Sequence, residues 1–137
     1  MNKRNLLKLA RYLELPAAQR RPRFDMAMYC ASAYSYKRTS CGTAGCAVGH
    51  GPDAGIPKFS RESWSNYSGR VFGLHPYRRS LRTYVWNFCF SGDWAYSHYN
   101  RAADAARRIR YVVEHGDAPS GWTYKNPWPK QLPISED

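Results

Sequence analysis

The chain has 137 residues, with 21 Lys+Arg against 10 Asp+Glu, a formal net charge of +11 and 15% aromatic residues. That length suits one domain with a core of its own, and the apolar content excludes a disordered tail. No run reaches the roughly 18 apolar residues of a spanning helix, and Lys8 and Arg11 break any leader-peptide core, so the chain reads as cytoplasmic with no membrane partner.

In chain order, Leu6, Leu9, Ala10 and Leu13 share one face, predicting a helix over 3–14 that Pro16 ends. Residues 17–23 form a basic connector. Residues 24–30, with Asp25 as a cap and Phe24 as a staple, fit either a short helix or an extended piece. After a Ser/Tyr/Lys/Arg loop over 31–40 comes the run Cys41-Gly42-Thr43-Ala44-Gly45-Cys46-Ala47-Val48-Gly49-His50-Gly51-Pro52. Thr43 reads as a helix cap, and Gly51-Pro52 as a left-handed stop. The small residues between them predict a short buried central helix that its neighbours approach closely.

Ser60 opens the next predicted helix, with Trp64, Tyr67, Val71 and Phe72 inward and Gly73 closing it. Tyr77 or Ser80 starts another, with Leu81, Tyr84, Val85 and Phe88 inward, until Ser91-Gly92-Asp93 breaks it. Asn100 caps the last helix, whose stripe is Ala102, Ala105, Ala106, Ile109, Val112 and Val113, with Gly116 as its exit. The expected architecture is mainly α: a compact single-domain bundle of about five helices over 1–118. An extended proline- and aromatic-rich tail over 119–137 completes it, packed on the body or trailing from it.

Charge carries the strongest functional signal. Arg101, Arg107, Arg108 and Arg110 fall largely off the apolar stripe of the last helix, and Arg78, Arg79 and Arg82 cluster upstream; Arg20, Arg21 and Arg23 form a third group. Tyrosines interleave with all of them. Arginine gives bidentate, charge-assisted bonds to phosphate, and tyrosine stacks on bases. No helix-turn-helix, zinc-finger or RNA-recognition signature accompanies them, so sequence-specific reading is not implied. The predicted partner is DNA or RNA, bound without catalysis, or else an acidic host protein met by the same seven arginines Arg78, Arg79, Arg82, Arg101, Arg107, Arg108 and Arg110.

Other chemistries have weaker support. Cys46 and His50 stand four apart and Cys41 precedes them, so with one of Cys30, Cys89, His75 or His98 they would make a tetrahedral zinc site, yet the paired Cys-x-x-Cys hooks are missing. No cofactor is otherwise expected. Four cysteines are too few and scattered for a disulfide scaffold, and buried free thiols are their expected state. Cys41 ahead of a helix could serve as a thiol nucleophile, but no protease or transferase signature surrounds it. Asp25, Glu62, Asp93 and Asp104 make no recognisable acid–base pair. The glycines of the run lack the lysine–serine pair and the strand of a phosphate loop.

Phe24-Asp25-Met26, the Cys41–His50 run, Phe72-Gly73-Leu74, Trp86 through Trp94, and Ala106 through Tyr111 with Gly116 together resemble a group of small uncharacterised phage and bacterial proteins. The resemblance covers most of residues 5–118, and the Cys-Gly-Thr-x-x-Cys-Ala-x-Gly-His motif is its most specific part. It implies a phage or prophage accessory protein, acting on nucleic acid or on a host complex as an inhibitor.

Overall fold

The computed structural model describes residues 1–20, 23–24, 44–45 and 47–129, the two short middle pieces as backbone alone. Expectations that fall on Asp25, Cys30, Cys41, Thr43, Cys46 and residues 130–137 lie outside the described residues.

Helix α1 (Lys3–Leu13) forms as its spacing predicts. Asn2 caps it, its side-chain oxygen accepting from the Asn5 N–H at 3.0 Å. Leu6, Leu9, Ala10 and Leu13 are buried, each leucine contributing about 2 kcal/mol of apolar burial. The backbone of β1 (Arg23–Phe24) pairs in parallel with β2 (Ala44–Gly45), two residues each. Helix α2 (Trp64–Phe72) begins at Ser63, three residues later than Ser60 suggested, because Ser63 Oγ accepts from the Asn66 N–H at 3.1 Å. Gly73 ends it in a left-handed conformation (φ 70°). A side chain at that position would press on the Met1 backbone, 2.9 Å away.

Helix α3 (Thr83–Phe90) buries Val85, Trp86, Phe88, Cys89 and Phe90. Tyr84, expected inward, is 52% exposed. A 3-10 turn over Gly92–Tyr96 follows, capped by Ser91. Helix α4 (Ala102–His115) starts at Arg101, not Asn100: Asp104 accepts from the Arg101 N–H at 3.1 Å and closes the first turn. Gly116 supplies the left-handed exit (φ 76°). α1 packs chiefly on α4, and α3 packs on α4 as well. Leu6, Leu9, Phe72, Phe88, Trp94 and Ile109 fill the space between them.

The molecule is mainly α, with four α-helices among the described residues where about five were expected. The difference lies in the small-residue run. Ala44–Gly45 is extended and Val48–His50 is one 3-10 turn, so no helix spans from Thr43 to His50. Burial there matches expectation, since Ala47, Val48, Gly49, His50 and Gly51 are all buried. Gly51 is right-handed (φ −53°), and its use is space: the Tyr67 phenol packs where a Cβ would stand. That phenol donates to the Ile56 carbonyl, and burial pushes its pKa far up.

The tail is docked as far as residue 129. Trp122 stacks near Trp94 (5.7 Å, 23°), Tyr124 meets Trp94 edge-on, and Trp128 meets Phe88 at 5.6 Å. Ser97 Oγ donates to the Tyr124 carbonyl at 2.6 Å.

Candidate nucleic-acid interface

The seven arginines separate into three kinds. Arg108 is 1% exposed, so its expected place on the surface is corrected. Its guanidinium lies 3.9 Å from the centroid of the Trp94 ring and donates to the Tyr99 carbonyl at 2.7 Å. Its Nε and second Nη have no hydrogen-bond partner among the described residues, and burial holds its pKa down to about 10.

Arg82, Arg101 and Arg110 are exposed but engaged by carboxylates. Arg110 clasps Glu14 with two bonds of 2.5 and 2.7 Å, joining α4 to the end of α1. That clasp holds the Glu14 carboxyl below its usual range. Arg101 meets Asp104 at 3.3 Å, and Arg82 lies 3.8 Å from Asp117 while donating to the Gly116 carbonyl at 2.8 Å. With the three arginine side chains 42% to 78% exposed, such pairs are worth less than about 1 kcal/mol each and are weakened by salt.

Arg78, Arg79 and Arg107 are exposed with no carboxylate partner among the described residues. Arg107 spreads over the Trp128 ring, 4.1 Å from its centroid. Arg78 and Arg79 sit on the loop between α2 and α3, where residues 79–81 form a 3-10 turn. That loop is held at both ends. His75 N–H donates to the Leu81 carbonyl at 2.9 Å, Thr83 Oγ1 to the His75 carbonyl at 3.2 Å, and the Tyr77 N–H to His75 Nδ1 at 3.0 Å. Nδ1 therefore accepts, and Nε2 carries the proton towards Asn66 Oδ1 at 3.2 Å. Burial, then the nearby Arg78 charge, lowers the His75 pKa.

One cationic surface lies outside the seven predicted arginines. Arg4, Lys8 and Arg11 recur at i, i+4 and i+7 on the side of α1 opposite its leucines, and all three are exposed, as is Lys3. The signal was present in the same spacing that predicts the helix. Meanwhile Glu14, Glu62, Asp104 and Asp117 are each occupied by an arginine, so the described surface keeps an excess of uncompensated cations.

Of the metal candidates, Cys41 and Cys46 lie outside the described residues, and His50 is buried with its ring 5.9 Å from that of Tyr12. His75 is committed to Asn66 and Tyr77, His98 is exposed, and the Cys89 thiol is fully buried, its pKa pushed up to about 12. Among the described residues no three His, Cys, Asp or Glu side chains gather to hold a metal ion. No helix among them is long and apolar enough to cross a membrane. No family model, curated protein or solved structure matches the chain.

Proposed function

We propose that the protein binds nucleic acid non-enzymatically, as a phage or prophage accessory factor, through a cationic surface read by phosphates. The observation that carries this reading is the imbalance left after internal pairing: Arg4, Lys8, Arg11, Arg78, Arg79 and Arg107 are exposed without a bridging carboxylate among the described residues. Arg82, Arg101 and Arg110 can still offer donors on their open sides, whereas Arg108 takes no part. Phosphates met by such a set release counterions, which makes binding entropically favourable and steeply dependent on salt.

Fluorescence anisotropy of labelled oligonucleotides across a salt series tests this. About six phosphate contacts give a log–log slope of roughly −4 to −5.5. Replacing Arg4, Lys8 and Arg11 together by glutamine should flatten the slope by about two to three. Absence of binding at low salt would remove the reading.

The second reading, an inhibitor gripping an acidic host protein by the same basic surface, draws also on Tyr96, which is 89% exposed. Affinity capture from nuclease-treated host lysate separates the two, because only a protein partner survives the nuclease.

A further inference from the structure

Tyr77 is 81% exposed, an unusual position for so large a ring, and Arg78 and Arg79 follow it immediately. Among the described residues the ring meets His75 alone, in a T-shaped contact at 5.9 Å, so most of its surface faces solvent. Its backbone is nevertheless fixed, through the Tyr77 N–H to His75 Nδ1.

The loop closes at Arg82, which is the one non-glycine residue with positive φ (55°) among those described. A left-handed arginine is strained, and the strain is held by the Arg82 N–H to the Arg79 carbonyl (3.0 Å) and by its side chain on the Gly116 carbonyl. Rigid backbone, an open aromatic face and two guanidiniums without a carboxylate partner among the described residues thus coincide on one loop.

We propose that Tyr77, Arg78 and Arg79 form a stacking site for single-stranded nucleic acid. The phenol ring takes the face of an unpaired base, and the two guanidiniums take the phosphates on either side of it. A duplex buries its base faces in its own stack and can meet only the guanidiniums, so the site prefers single strands. This inference rests on the nucleic-acid reading above and adds to it the strandedness of the ligand. A flexible loop would lose part of the stacking free energy in ordering the tyrosine, and this one is ordered beforehand.

Binding of a labelled single strand and of its duplex of about 20 base pairs is to be measured on the wild type and on Tyr77→Leu, Tyr77→Phe and the pair Arg78→Gln/Arg79→Gln. Tyr77→Leu should weaken single-strand binding about tenfold and leave duplex binding unchanged, and Tyr77→Phe should keep wild-type affinity. The arginine pair should flatten the salt slope by about one to two on both ligands. Because these side chains are exposed, thermal melting should be unaltered in every variant. Equal binding of both ligands with no effect of Tyr77→Leu overturns the stacking site but leaves the cationic surface standing. Tyr77-dependent binding of polyglutamate in preference to the single strand overturns it as well. Failure of the wild type to bind either oligonucleotide at low salt removes both proposals together.

Discussion

At position 108 a guanidinium occupies a place where the spacing of Ala105, Ile109 and Val112 would seat a hydrophobe. The residue type suggested a surface contact, but the register of α4 puts it inside, and the register prevails. What makes the position tolerable is the Trp94 face, which replaces part of the lost hydration, together with the Tyr99 carbonyl. Arg108→Ala should therefore cost about 2 to 4 kcal/mol, because it leaves both a cavity and an unanswered carbonyl. Urea unfolding measures this, and oligonucleotide affinity at a temperature where the variant is folded should not change. A small stability effect with a large loss of affinity would contradict the buried assignment. Here the sequence was informative in its spacing and misleading in its chemistry.

The loop between α2 and α3 depends on one imidazole. With Nδ1 accepting from the Tyr77 N–H, His75 cannot take a second proton without breaking that bond. Its folded pKa lies below the usual 6.5, whereas the unfolded chain titrates near that value. The unfolded state therefore binds more protons just below pH 6.5, and stability falls as pH drops through that value towards the folded pKa. Above pH 6.5 the contribution is complete. NMR titration of the His75 ring should give a midpoint below 6.5, and a midpoint at or above it would refute the acceptor role.

Elements with strong periodicity were readable in advance. α1 and α2 have the expected inward faces, α4 buries its alanines, Ile109 and Val112 as expected and Arg108 besides, and Gly73 and Gly116 end α2 and α4 in left-handed turns. Their starts were less readable, because Ser60 and Ser63 are equally good caps by type, and only the hydrogen bond to Asn66 decides between them. The run around His50 failed as a helix because glycine and alanine set no period at all. Their smallness spoke for burial, which holds at Ala47, Val48 and Gly49, while the close approach is seen at Gly51, against the Tyr67 phenol.

Across the whole molecule, charge and core are laid out separately. The leucines of α1, the aromatics of α3 and the alanines of α4 fill the interior, and the cations of α1 and the α2–α3 loop stand outside. The excess of cations was evident from composition, yet which of them are free depended on distant pairings such as Glu14 with Arg110, invisible to a reading by position. The tail left both outcomes open from sequence, since prolines and aromatics suit a trailing segment as well as a docked one. Its docking has an optical consequence. Of five tryptophans, Trp122 and Trp128 lie on the tail and share the Phe88 ring with Trp94 at the centre of the core. Indole emission therefore reports the tail and the helices at once. If the two release together, the red shift of that emission in urea will coincide with the loss of far-ultraviolet helical signal, and an earlier red shift would mark the tail as a clasp that opens by itself.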